Sequence, residues 1–518
     1  VGKGNWDWDH ELFEILPQYL KVDGTAERDE LLLQWIEKYG EIPECTTCKE
    51  TPPDAVLKPD LSWVEQFGMS AVLKEKIREV YRNRHQGEQY YVSQPFSFIE
   101  FTNEKPYSNM PSFDSGLQLL SLYRYWNMVQ YFFPYKYLTN KEWNDVLKEY
   151  IPKFAGAKTA LEYQLAVLQL HVEINDTHGA YILGLDRINS LRGNWLSSLG
   201  VRFIENQWVV AIHSPQRGPF GLQKDPYGIQ RGDIITHING KKIESIVDSI
   251  KVFYNASNEA TRMRVLRHDL LRSTEKTISI DFISSLGASK HMNLALDQVV
   301  RLPMPSRGFS NYGDPEAIEV YPQTEGNIGY INPAYLEKLD IEQIKQLFFT
   351  CKGIIIDLRY GAKPGIFIPL YPYLVSETRP FMKFTLGNIN NPGEFAFFSH
   401  TYDIEKDEEV DTFKGKLVVL VNEEVQSSGE TVTMAFRAGD NTTIIGSHTA
   451  GANGDVVRIM LPGGLGMLFS GLGVYYPDGR ETQRIGIVPD IEVKPTINGI
   501  REGRDELLEK AIEFIKKN

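Results

Sequence analysis

A chain of 518 residues is too long for one compact core, and three or so domains are expected. With 42% hydrophobic, 12% aromatic and 24% charged residues, its composition is that of a soluble globular protein. A net charge of −13 argues against a nucleic-acid partner, and no apolar run approaches the roughly 18–20 residues of a membrane span. The chain begins Val1-Gly2 rather than with methionine. That start suggests a processed or truncated chain, with an export signal as one candidate for the lost segment, and a periplasmic or cell-surface/extracellular location is the expectation.

Residues 1–110 are aromatic and acidic, with helical patches at Glu30–Tyr39 and Leu73–Arg82 broken by Pro43, Pro52-Pro53 and Pro59. An accessory helical domain is expected there, without chemistry of its own. Cys45 and Cys48 form CTTC, which lacks the further ligands a zinc site needs, leaving a local disulfide or two free thiols. Cys351 precedes an apolar strand and reads as a core residue.

Residues 111–190 form a helical segment. Leu119, Leu122, Trp126 and Val129 recur at helical spacing, as do Trp143, Val146, Leu147 and Ile151, and a third pattern runs from Ala160 to Ile174. It ends in the polar turn Asn175-Asp176-Thr177-His178-Gly179, and Ala180–Leu185 reads as a strand. His178 is well placed to point out of a loop, although a lone histidine is more often structural.

Residues 191–290 change to short β-type runs, Gly200–Ile204, Trp208–His213, Asp233–Ile238 and Thr277–Phe282, between Gly, Pro and Asn turns. Residues 300–518 look like an α/β core. Asn327–Ile331 and Gly353–Leu358 read as strands, Ile341–Phe349 as a helix, and residues 366–377 as a helix carrying Pro369 and Pro372. Thr442–Gly446 is a further strand, Val456–Leu461 leads into a hairpin at Pro462-Gly463-Gly464, and an amphipathic helix closes the chain between Gly503 and Lys517. Strands alternating with helices imply parallel pairing with helices on both faces.

The chemistry points to residues 417–439. Leu417–Val421 is a buried strand, Asn422–Ser428 a polar turn, and Val432, Met434, Ala435 and Phe436 suit a helix. Strand, tight turn and helix present a small nucleophile at a helix N-terminus, where free N–H groups and the dipole stabilise a developing oxyanion. Ser427 and Ser428 sit at that turn; simple helix capping is the competing reading.

Two resemblances sharpen this. The stretch Gly228-Ile-Gln-Arg-Gly-Asp-Ile-Ile-Thr-His-Ile-Asn-Gly240, followed by Lys241-Lys-Ile243, resembles the PDZ signature. It implies an Asn-Gly hairpin with Ile234, Ile235 and Ile238 in the core, and a module that adds an extended peptide, often a free C-terminus, to a sheet edge. A bare spacer domain is the alternative.

That module is followed by Gly353-Ile-Ile-Ile-Asp-Leu-Arg359, Val421-Asn-Glu with a Ser-rich turn ending in Glu430, Ile445-Gly446, a Gly-rich loop, and Ile485-Gly-Ile-Val-Pro-Asp490. The order resembles the tail-specific (C-terminal processing) serine peptidases, over roughly residues 114–515. The resemblance implies an α/β core of ClpP/crotonase-like ββα units with a helical N-terminal region and an inserted PDZ-like β-domain.

Anchored on Glu430, the family's Ser-x-Ser-x-Ser-Glu segment places its nucleophile at Ser427 and an oxyanion N–H at Ser428, with a one-residue shift to Ser428 left open. In the Ser/Lys branch a lysine stands where this chain has Ala452, so the tricorn-like Ser/His branch is the nearer one. It implies His178 as the general base, with His448 as the alternative. The residue orienting the base is Glu481, or Gln483 by hydrogen bonding alone, because Gln483 stands where that branch has an acid. Gly361 is the expected second oxyanion donor and Gly365 its alternative, while Asp357 and Arg359 read as a structural charge pair. The implied activity is a serine endopeptidase acting on polypeptides through an acyl-enzyme, with no metal or organic cofactor. A non-catalytic carrier of a lipophile or peptide on the same fold, and an esterase, are the rivals.

Overall fold

The computed structural model describes residues 6–95, 98–111, 113–213, 228–296, 298–299, 318–321, 326–336, 340–362 and 364–517. The N-terminal region builds the helices Trp8–Tyr19, Thr25–Glu37 and Ala71–Arg82, the first and last capped by the side chains of Asp7 and Ser70. It lies against the rest of the chain: Val56 N–H donates to the Phe395 carbonyl (2.8 Å), and buried Arg124 pairs with Asp9 (2.8 Å) and Glu104 (2.6 Å). Cys45 and Cys48 are joined as a disulfide, and Cys351 is a buried thiol. Among the described residues no helix is long and apolar enough to cross a membrane.

Three helices follow, Ser115–Phe132, Trp143–Gly156 and Ala160–Val172. Their inward residues Leu122, Tyr125, Val129, Val146, Phe154, Val167 and Leu170 make one core with the hairpin Val456–Leu461/Leu465–Ser470. The expected strand at Ala180–Leu185 does not form. Only Leu183 bridges to Gly466, and a helix, Asp186–Arg192, starts directly afterwards. Ala180 still belongs to the turn Thr177–Ala180 and Gly184 has φ 81°, so the stretch between them is too short to pair beyond Leu183.

The β-rich region is a six-stranded sheet in the order Ser289–Ala295, Thr277–Ile283, Ile234–Ile238, Gln207–His213, Leu199–Ile204, with Lys241–Lys242 paired to Ile234–Ile238. Asn239 and Gly240 make the turn with φ of 48° and 74°, the two positive values a two-residue hairpin needs. Ile235 and Ile238 are core as expected, but Ile234 is not. Successive strand residues face opposite ways, and Ile234 packs against Ile497 and Ile500 of the helix Ile497–Glu502.

The C-terminal region holds a second six-stranded sheet, in the order Ile318–Tyr321, Asn327–Ile331, Cys351–Asp357, Lys416–Val421, Thr442–Gly446, Ile491–Glu492. All pairs are parallel except the first. Helices cover both faces, so its strands are nearly all apolar. Val419 and Val421 face the helices Ile341–Thr350 and Ser428–Arg437, whereas Val418 and Leu420 meet Leu507, Ala511 and Ile515 of the terminal helix Glu506–Lys517. Gly353 permits that second contact: a Cβ there would lie 2.4 Å from the Ile515 side chain.

The single helix expected at 366–377 is instead a turn, Pro364–Phe367, followed by a 3₁₀ stretch, Ile368–Tyr373. Pro369 and Pro372 lack the N–H groups an α-helix would use. A strand with no counterpart in the sequence reading, Arg379–Gly387, pairs with Phe395–Phe397, Tyr402–Ile404 and Gly473–Tyr475.

Candidate active site

The strand Lys416–Val421 delivers the chain to the turn, and the helix Ser428–Arg437 leaves it. Between them Ser427 has φ 55° and ψ −119°, a conformation that costs a non-glycine residue on the order of 1–3 kcal/mol and survives only where the surroundings fix it. Here they do. Ser427 N–H is shared between the Ala452 carbonyl (2.9 Å) and the Glu430 carboxylate (3.2 Å), and its carbonyl receives the Glu430 and Thr431 N–H groups at 2.8 and 3.1 Å. Ser427 is half-buried and Ser428 exposed at the first position of the helix.

Glu430 is the post that holds both walls of this turn. Fully buried, it also accepts from Thr449 Oγ1 (2.5 Å) and from the N–H groups of Gly451 (2.8 Å) and Ala452 (3.1 Å). Ala452, at the position of the missing lysine, is buried and serves the turn through its backbone alone. Burial pushes the Glu430 carboxyl up from its ordinary 4.5 to about 7, against the hydrogen bonds that pull it down. Its folded pKa therefore exceeds the unfolded one, and the native chain keeps a proton that the unfolded chain has lost. Between about pH 4.5 and 7 this group should reduce stability by on the order of 3 kcal/mol as pH rises. Glu430→Gln is expected to remove that slope, measured as the pH dependence of the urea midpoint beside the parent chain.

His178 lies on the turn Thr177–Ala180, buried, with Nδ1 2.8 Å from Ser470 Oγ and 3.7 Å from Asp176 Oδ1. Its Nε2 is buried and makes no hydrogen bond, to Ser427 or to any other described residue. Burial lowers the pKa of the ring, Asp176 and Asp455 raise it, and Arg264 lowers it again. The net direction is down, which keeps the imidazole in its neutral, proton-accepting form.

The turn is fixed from beneath. A Cβ on Gly179 would fall 2.3 Å from His171 Nε2, and Tyr125 holds the other nitrogen of His171 at 2.8 Å. Asp176 N–H donates to Asn255 (2.9 Å) and Thr177 N–H to Ser257 (2.9 Å). The same stretch of the β-rich region reaches the nucleophile side. Asn258 donates to the Thr449 and Ala450 carbonyls (3.1 and 3.0 Å), and Arg264 donates to the Glu423 carbonyl (2.7 Å) and to Gln426 Oε1 (2.6 Å). Residues 255–264 thus touch both the histidine turn and the segment entering Ser427. No sequence signal pointed to this role.

The other expected residues divide. Gln483 is buried beside the histidine turn, its Nε2 3.5 Å from Asp176 Oδ1. Glu481 instead accepts from Tyr137 OH (2.7 Å); the chain turns at residues 483–485, with Arg484 at φ 64°, so the two side chains meet different neighbours. His448 is exposed, with Nδ1 3.0 Å from the Ile485 carbonyl. Gly361 has φ 128°, but its N–H is engaged by the Leu358 carbonyl (3.1 Å), so an oxyanion role requires that turn to open. Its neighbour Ala362 lies 3.9 Å from where a Cβ on Gly429 would be, which brings this loop beside the serine turn. Asp357 and Arg359 form the buried ion pair expected of them, extended to Asp505.

The strained serine turn and the buried imidazole are both tied to residues 255–264, and a serine and a histidine are the side chains that serine-type peptidases use. Residues 378–493 match the model of peptidase family S41. The carboxy-terminal-processing protease of Bartonella bacilliformis is 26% identical over 348 residues, 64% of this chain and 70% of that one. Mature CPAF shares the fold: its complex with lactacystin superposes with a TM-score of 0.59 at 13% identity, over 78% of this chain and 98% of that one. A second structure of mature CPAF gives 0.58 at 12% identity, over 78% and 97%.

Proposed function

We propose that this chain is a serine endopeptidase in which Ser427 attacks the peptide carbonyl and His178 accepts the hydroxyl proton, then delivers it to the leaving amine. The Ser428 N–H at the helix start, with a second donor from the Gly361 loop, holds the oxyanion. The β-rich region 191–290 acts as a PDZ-like module that binds an extended polypeptide, at its C-terminal end, and gates the site through residues 255–264. The core corresponds to ClpP/crotonase-like ββα units, and the Ser/His branch is favoured because Ala452 carries no amine. A compartment outside the cytoplasm fits the Cys45–Cys48 disulfide.

One observation carries the reading above the others: Ser427 is held at φ 55° and ψ −119°, away from the extended backbone an ordinary N-cap adopts, and plain helix capping does not require that strain. A serine-directed fluorophosphonate tests it. The expected result is a single adduct on Ser427, found by peptide mass mapping and retained in Ser428→Ala. An adduct on Ser428 would move the nucleophile by one residue, and none at all would remove the acyl-enzyme reading.

A further inference from the structure

Gln483, which stands where the resemblance implies an acid, is an amide and carries no charge. A histidine that takes a proton in a buried site still needs a counter-charge for the imidazolium. The carboxylates acting on His178 are Asp176 and Asp455. Asp455 is exposed and its field is screened by water, whereas Asp176 is wholly buried, 3.7 Å from His178 Nδ1.

We propose that Asp176, two residues before the base on the same turn, is the acidic positioning residue of this peptidase and replaces the acid absent at Gln483. Its two oxygens are used differently. Oδ2 accepts the Ser470 N–H at 2.6 Å, and Oδ1 accepts the His178 N–H at 3.1 Å and faces the Gln483 amide at 3.5 Å. Ser470 then completes the bridge by placing its hydroxyl 2.8 Å from His178 Nδ1. With Nδ1 held by Ser470 beside a fixed negative charge, Nε2 is the nitrogen left to act as base, and it is the one without a partner. Gln483 adds an amide dipole to Asp176 and no charge of its own.

This rests on the peptidase reading above, and the tests separate the two. A parent chain that neither turns over peptides nor accepts a fluorophosphonate would defeat that reading and this assignment with it. In an active parent, Asp176→Asn is expected to lower kcat by about 10²-fold or more and to move the acid limb of kcat/KM to lower pH, because the imidazolium loses its stabilising charge. Asp455 and Arg264, the other charged groups acting on the ring, are unchanged in that variant. Moving the carboxylate across the gap, in Asp176→Asn/Gln483→Glu, should recover at least tenfold of the loss. A purely structural role for Asp176 would not be rescued from position 483. An Asp176→Asn chain with parental kcat and acid limb, or a double variant no faster than the single one, overturns the assignment.

Asp176 also anchors backbone groups, so a test that leaves it intact is needed. Gln483→Glu alone sets a second carboxylate beside an existing one. The acid limb should move to higher pH while the plateau rate gains less than tenfold. A gain of tenfold or more would show that the parent ring has no counter-charge and would overturn the proposal.

Discussion

Ser427→Ala is expected to reduce peptide turnover by about 10⁵- to 10⁶-fold, the loss that follows when an acyl-enzyme can no longer form. What remains would come from binding and from the helix-terminal N–H groups, which the substitution leaves in place. The turn itself should persist. Its geometry is imposed by Ala452, Glu430 and the start of the helix, all through the Ser427 backbone, and alanine keeps that backbone. A Ser427→Ala variant whose melting temperature matches the parent's, yet which is inert to fluorophosphonate, separates chemistry from folding. Ser428→Ala should cost less than about tenfold, since only its N–H is used.

His178→Ala is the second large effect. Removing the base is expected to cost about 10⁴-fold or more in kcat, and the pH dependence of the remaining activity should lose its acid limb. The same change at His448, exposed and turned to the Ile485 carbonyl, should alter kcat by less than about twofold. His178→Ala also leaves a cavity where the buried ring stood, so the comparison is best made with His178→Gln as well, which fills the space and cannot serve as a base. Equal losses in the two variants assign the effect to proton transfer. A large loss at His448 instead would transfer the role to the loop after Thr442–Gly446.

The contrast between these two histidines shows what the sequence can and cannot carry. Periodicity and turn residues were enough for the individual core strands and the Pro462–Gly464 hairpin, because each depends on residues adjacent in the chain, while the Asn239-Gly240 hairpin came from the PDZ resemblance. The serine turn was legible for the same reason: an apolar strand, a polar turn and a helix start follow one another without interruption. Ser470 and Asp176 lie far apart in the chain, and nothing local to either announces that they share a proton-bearing ring.

Glu430 entered the sequence reading only as an alignment anchor, yet it is the residue on which the serine turn and the 449–452 loop close. A buried glutamate inside an apolar helix face is a signal that could have been used, since a carboxylate there has to find donors. The Glu481 carboxylate meets Tyr137 OH, a partner more than three hundred positions away in the chain that nothing local to residue 481 announces. The expectation for Ile234 failed because neighbouring strand positions cannot share one face. The strand Arg379–Gly387 was missed since its partners come from three separate segments.

The central claim is that the half-buried hydroxyl of Ser427 and the unpartnered Nε2 of His178 act on the same carbonyl. In the present conformation no hydrogen bond joins them. A crystal structure of the fluorophosphonate-treated protein tests the claim most directly. The account predicts a phosphonyl group on Ser427 Oγ with His178 Nε2 within about 3.2 Å of it and one phosphonyl oxygen on the Ser428 N–H. An adduct on Ser427 whose nearest imidazole is not His178, or one with the ring still closed over Ser470 and out of reach, would contradict it.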